Sequence, residues 1–401
     1  ADAPRRCPRR RSDRPAHETH CGLLAVRVRA ERIAVGRKKA ARGQPQPSGR
    51  RRHAGRDRMR TIEITKNHKN IPMRTDLFLF LTLSLAAITS CDEASGDRYD
   101  PSTYKNPVTT QKMPDPTVIR DGDTFYLYAT EAVRNVPIMK SRDLVNWTLC
   151  GTVFSEATRP DFTEGGEIWA PDINYVGDRY LLYYSLSSWG GIEDCGIGVA
   201  EAETPEGPWI NHGKLFISKE IGCLNSIDPF FIEEDGAKYL FWGSFRGIWG
   251  ARLSDDGLTL DTSTIQPVAG TAFEATYIHK RGNYYYLFAS TGSCCSGLNS
   301  TYSVVVGRSE NLFGPYVDRN GEEMLSNHYE TVLKGNGAFA GPGHNAEIVT
   351  DRDGTDWLLY HAYWVNSPSS RTLMLDRVNW TDGWPLVNDG YPSNQATSPR
   401  L

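Results

Sequence analysis

Five stretches of the chain repeat one arrangement of polar and apolar positions: DPTVIRDGDTFYLYAT from Asp115, APDINYVGDRYLLYYS from Ala170, DPFFIEEDGAKYLFWGS from Asp228, EATYIHKRGNYYYLFAS from Glu274 and NAEIVTDRDGTDWLLYHA from Asn345. Each opens on a small or polar residue and runs through a short apolar stretch. A Gly-bearing turn follows, and the chain returns along an alternating, aromatic-rich segment. That pattern predicts strand, tight turn, strand. The starts lie 55, 58, 46 and 71 residues apart. A hairpin recurring at this period, with further strands between copies, predicts an all-β, five-bladed β-propeller. The intervening GIGVAEAETPEGPW and YSVVVGRSENLFGPY fit the outer strands of their blades, and no long amphipathic helix is evident.

Composition changes the picture at the N-terminal side. Residues 1–72 hold 21 Lys/Arg against 6 Asp/Glu, a net of +15, whereas the remainder holds 24 basic and 42 acidic residues, a net of −18. The first sixty residues show no sustained apolar period. They read either as a basic nucleic-acid-binding arm or as upstream sequence translated from an early start, and the latter is the expectation. From Met73, an Arg-bearing start and an apolar run from Leu77 to Ala87 suit a signal-peptide core; the run is too short to span a bilayer. Residues 88–91, Ile-Thr-Ser-Cys, resemble a lipobox, which predicts lipidation of Cys91; an ordinary signal peptide is the alternative. The expected organisation is therefore 1–72 upstream, 73–90 signal peptide, 91–104 linker and 105–401 propeller. The product would be exported, held to a membrane only through its lipid, monomeric and without a nucleic-acid partner, since the acidic remainder opposes polyanion binding. Mean hydropathy of −0.47 excludes a polytopic membrane protein.

Five cysteines follow Cys91, at 150, 195, 223, 294 and 295, with no CxxC spacing that would suggest zinc. The adjacent Cys294 and Cys295 are expected as buried free thiols, a vicinal disulfide being the alternative.

In a propeller the residue opening each innermost strand faces one mouth of the central funnel. Asp115, Asp228 and Glu274 open three of the five repeats and are expected to converge there. Packing does not demand carboxylates at such positions, although Asp before Pro is also a common turn element. Two carboxyl groups about 6.5–9.5 Å apart suit inverting glycoside hydrolysis, one protonated as acid and one ionised to activate water. A third nearby carboxylate raises the acid's pKa by like-charge repulsion. The motifs WAPD, SSWGG and GSFRGIWG add aromatic faces on which sugars stack.

These blocks, with PDPTVIRDGDTFYLYAT, IWAPDI, NSIDPFF, the stretch from YYYLFAS through CCSGLNSTYSVVVGRS, and GPGHNAEIV, resemble in order those of glycoside hydrolase family 43 arabinanases, over about residues 105–391. The resemblance implies Asp115 as general base, Glu274 as general acid and Asp228 as the group that orients the acid and raises its pKa. It implies substrate contacts at Asp115, Gly190, Asn225, Ser226, Ile227, Asp228, Ser244, Phe245 and Arg246, with Trp169 lining the cleft. It further implies a calcium ion, or sodium instead, beside His344. Calcium prefers oxygen ligands, so water would complete its shell.

Two departures stand out. Thr276 occupies a place where the family commonly has Pro, which should loosen the start of that strand. Arg246 stands where endo-acting relatives often carry an aromatic residue. The reading is an inverting hydrolase of α-1,5-arabinofuranosidic bonds in arabinan, endo-acting. The alternatives are an exo-acting arabinofuranosidase or β-xylosidase of the same family, and a non-catalytic glycan-binding surface lipoprotein.

Overall fold

The computed structural model describes residues 102–401. The predicted upstream segment, signal peptide, Cys91 and most of the linker lie outside the described residues.

The five repeats build five antiparallel sheets arranged as propeller blades. The first blade comprises Thr117–Asp121, Thr124–Tyr128, Pro137–Ser141 and Thr148–Thr152. The second comprises Glu167–Val176, Arg179–Ser187, Gly196–Ala202 and Ile210–Ile217. The third holds Phe230–Glu234, Ala237–Trp242, Ile248–Arg252 and Gln266–Ala269; the fourth holds Glu274–Arg281, Tyr284–Thr291, Ser303–Ser309 and Glu330–Lys334. In the fifth, Asp356–Trp364 pairs with Phe339–Gly343 and Ile348–Thr350 on its inner side and with Ser367–Thr381 outward. The stretches expected as outer strands form the third strands of the second and fourth blades.

The ring closes by mixing the two ends of the chain. Thr109–Lys112 joins the fifth blade against Ser367–Thr381, and Thr103–Lys105 pairs with Gln395–Thr397. Four apolar clusters fill the spaces between successive blades, with Trp242, Phe288 and Tyr360 among their fully buried members. Each such side chain contributes about 1.5–3 kcal/mol by leaving water.

The same backbone irregularity marks the mouth end of every inner strand. Asp115, Ala170, Asp228, Ala275 and His344 all have positive φ, between 40° and 60°. For a residue with a Cβ this left-handed conformation costs about 1–2 kcal/mol, so something must hold it. A ring of bonds between blades does so. The Asp115 N–H donates to His361 Nδ1 (3.1 Å), Ala170 N–H to Thr130 Oγ1 (2.8 Å), Asp228 N–H to Ser185 Oγ (2.9 Å) and His344 N–H to Ser290 Oγ (2.9 Å). In the fourth blade Ala275 N–H donates instead to the Asp228 carboxylate (3.2 Å).

This pattern corrects the expected equivalence of the three acids. Asp115 and Asp228 occupy the kinked position itself, but in the fourth blade Ala275 does. Glu274 sits one residue earlier, paired with Ser290 beside a register shift. Ala170 and Asn345 likewise do not open their strands. The second blade's inner strand begins at Glu167, and that of the fifth is split around His344 and Asn345.

Candidate active site

Asp115 is held from three sides. Arg371 Nη1 donates to its Oδ1 (2.7 Å) and Thr130 Oγ1 to its Oδ2 (2.6 Å), while His344 Nδ1 stands 3.3 Å from Oδ1. Burial alone would raise this carboxyl, but the Arg371 guanidinium outweighs it. Asp115 is held well below the usual carboxylate range. His361 is kept neutral, its pKa depressed to about 4 by burial first and by Arg371 next. Its Nδ1 is therefore free to accept the Asp115 N–H.

Asp228 and Glu274 have the opposite environment. Burial pushes Asp228 upward, and the neighbouring Glu274 and Asp115 charges push the same way. Glu274 is also raised, by burial first, although Ser244 Oγ donates to its Oε2 (2.7 Å) and the Tyr302 hydroxyl also bonds to it. Tyr302 stacks on His361 with ring centroids 5.8 Å apart. Its ring passes so close to the fifth blade that a Cβ on Gly343 would lie 2.1 Å from it, so only glycine fits there. The site thus holds one carboxylate kept ionised beside two carboxyls kept protonated to higher pH, the division that acid–base catalysis requires.

These groups open onto a cleft of about 400 Å³. Of the residues expected at the site, Asp115, Trp169, Gly190, Asn225, Ile227, Asp228, Ser244, Phe245, Glu274 and His344 line it. Asn225 also fixes the wall, donating from Nδ2 to the Ser244 carbonyl (2.7 Å). Trp169 and the exposed Trp189 pack at 5.7 Å between ring centroids and form an aromatic rim. Two expected residues stand elsewhere. Ser226 is fully buried behind the wall, where its hydroxyl donates to the Cys223 carbonyl and accepts from Trp242 Nε1. Arg246 is exposed, outside the cleft lining, and bonds to the Phe245 carbonyl.

The expectation of buried free thiols at 294 and 295 is wrong. The two cysteines form a disulfide. They lie in the loop after Tyr284–Thr291, with Cys295 exposed and both lining the cleft. Thiols there have no core to retreat into. Cys150, Cys195 and Cys223 are free, and Cys195 and Cys223 are buried.

Sequence reasoning missed Arg371, Thr130, Ser185, His361 and Tyr302. The signal for three of them was in the repeats. Thr130 and Ser185 end the first two quoted segments, and His361 is the last polar residue of the fifth.

A closed ring of blades with opposed carboxyl environments in one axial cleft defines a glycoside-cleaving enzyme. Residues 104–385 match the family described as Glycosyl hydrolases family 43, and the chain belongs to that family. It is 33% identical over 298 residues to the extracellular endo-alpha-(1->5)-L-arabinanase 1 of Bacillus subtilis (strain 168), covering 69% of this chain and 88% of that protein. It is 35% identical over 305 residues to the extracellular exo-alpha-(1->5)-L-arabinofuranosidase ArbA of Cellvibrio japonicus, covering 69% and 86%. Among solved structures, the alpha-L-arabinanase of Cellvibrio cellulosa complexed with arabinohexaose matches with a TM-score of 0.65 at 32% identity, over 73% of this chain and all of that one.

Proposed function

We propose that the protein is an endo-acting arabinanase that hydrolyses α-1,5-L-arabinofuranosidic bonds with inversion. The observation that carries the hydrolytic chemistry is the division of the carboxyls, with Asp115 ionised against Arg371 and with Asp228 and Glu274 pushed upward by burial; the likeness to the Bacillus subtilis endo-arabinanase supports the substrate and the endo mode. Asp115 takes a proton from water attacking the anomeric carbon. Glu274, protonated, donates to the leaving oxygen. Asp228 accepts the Ala275 N–H next to Glu274 and thereby holds the acid's backbone, while burial and then the Asp115 charge oppose ionisation of the acid. The Trp169–Trp189 rim gives the sugar rings apolar faces to pack on.

The test is product analysis over time on debranched linear arabinan, beside Glu274→Gln and Asp115→Asn. A spread of oligosaccharides appearing early is expected, with turnover of each variant reduced at least about 10³-fold and binding retained. Arabinose or one fixed oligomer from the outset favours exo action, the activity named for the Cellvibrio japonicus relative. Binding without products overturns the enzymatic reading.

A hard cation beside His344 belongs to the same proposal. With His344 Nδ1 turned to Asp115, Nε2 is left to face an ion, and the adjacent Asn345 Oδ1 is buried without a hydrogen-bond partner. Among the described residues, the one grouping of three His, Asp or Glu ligands is Asp318, Glu322 and His328, on a different loop. The His344 surroundings therefore fit an ion held largely by water. Bound there, it would supply positive charge near Asp115. Chelation should lower activity, and calcium should restore it.

Export and attachment through a lipidated Cys91 complete the proposal. Both bacterial relatives carry "extracellular" in their names. Metabolic labelling with a fatty acid, lost in Cys91→Ala, tests the anchor.

A further inference from the structure

The Cys294–Cys295 disulfide borders two spaces. It lines the catalytic cleft together with Glu274 and Tyr302, and it also lines a more open depression of about 550 Å³ beside it. Trp189 and Phe245 are the other residues common to both. The depression is completed by Gly292, Ser293 and Ser296 of the same loop. That loop is tied down from within: Ser300 Oγ donates to the Ser293 carbonyl (2.6 Å), Ser293 N–H donates to Thr301 Oγ1 (3.1 Å), and the Ser293 and Ser296 hydroxyls bond to each other (2.6 Å).

We infer that the disulfide, with Trp189 and Phe245, forms an accessory subsite that takes a sugar residue of the polymer beyond those flanking the scissile bond. The inference rests on the arabinan reading and adds to it where the chain runs after leaving the catalytic cleft. Its chemistry follows from the surface. A disulfide has no hydrogen-bond donor and presents polarisable sulfur, so it offers dispersion to the C–H face of a furanose ring and asks for no polar partner. Two thiols would instead carry S–H groups and be free to separate. Trp189, 76% exposed, is a large apolar face for which the described residues provide only the Trp169 ring as an aromatic partner. A passing sugar would cover it. The sulfur ridge, this indole and Phe245 thus give the depression its apolar lining, with Ser293 and Ser296 beside them.

The experiment compares the oxidised protein with phosphine-reduced protein and with the Cys294→Ser/Cys295→Ser variant, on linear arabinan and on arabinotriose. Intact mass of the starting protein must show the disulfide; two free thiols at these positions would overturn the inference. Loss of the disulfide is expected to raise KM for linear arabinan with little effect on its kcat. The penalty in kcat/KM on the polymer should exceed that on the trimer by about five- to tenfold. Trp189→Ala, which also removes half of the cleft's rim, should raise KM on both substrates and more on the polymer. Equal penalties on both substrates accompanied by a lower Tm would make the disulfide a brace for the loop and sink the subsite, as would no penalty on either. Oxidised wild-type protein that cleaves neither substrate would instead defeat the arabinan reading itself, and the inference with it.

Discussion

Arg371 sets the protonation state of the site more than any other side chain. Removing a guanidinium 2.7 Å from Asp115 leaves burial as the dominant influence on that carboxyl, and its pKa must rise. Arg371→Met should move the acidic limb of the kcat/KM profile upward and cut activity near neutrality by about 10²-fold or more. A profile whose acidic limb stays in place would show that Asp115 is not the group titrating there. Asp228 governs the opposite limb. Its carboxyl and that of Glu274 resist ionising together, so the proton lost at high pH belongs to the pair. Asp228→Asn removes the higher of the pair's two ionisations, so the alkaline limb should move to lower pH and follow Glu274 alone.

The kinked start of each inner strand explains how strained residues come to carry the chemistry. In four blades a side chain at the end of a second strand holds the neighbouring blade's kink, and the bonds to Asp115, Ala170 and Asp228 are buried. Ser185→Ala would orphan the Asp228 N–H at a cost of about 1–3 kcal/mol. It should lower Tm and reduce kcat by letting Asp228 shift, whereas Ser185→Thr should retain most of both; an unchanged kcat in the Ala variant would remove the positioning role. Here lies the boundary of what could be read in advance. The hairpins, the blade count and two of the acids at the kinked position were legible because strand alternation and Gly-bearing turns are local signals. Arg371 was not, because it reaches Asp115 across 256 residues and sits at the start of an apolar run that reads as ordinary strand. Glu274 was read as the repeat's opener because the chain around it has no Pro. The kink falls on Ala275, and Thr276 buries a hydroxyl without a partner. Ser226 was placed at the site by resemblance, and only the fold shows its hydroxyl turned into the wall.

Closure makes the five blades one cooperative body. The strand Thr109–Lys112 comes from the N-terminal side yet completes the last blade, so a chain beginning at Pro114 should lose cooperative unfolding even though every catalytic carboxyl is kept. A second device sits on the axis, where all five inner strands meet. Asp172 accepts the Phe231 N–H (2.7 Å), Glu347 accepts the Val118 N–H and the Thr117 hydroxyl (2.7 Å each), and the Tyr277 hydroxyl accepts the Ile348 N–H (2.9 Å). Asp172 and Glu347 also bond to each other, which requires one to keep its proton; burial first, then Glu347, raises Asp172 well above the ordinary range. The unfolded chain releases that proton near pH 4. The folded state therefore binds more protons above this pH, and stability falls as pH rises from about 4 toward the folded pKa. Asparagine in place of Asp172 keeps a donor for Glu347 and an acceptor for Phe231 but has no proton to lose. Asp172→Asn should thus fold normally, and its Tm should decline less steeply between pH 5 and 8 than that of the wild type. A parallel decline would mean that the proton shared across the axis does not link the blades to pH.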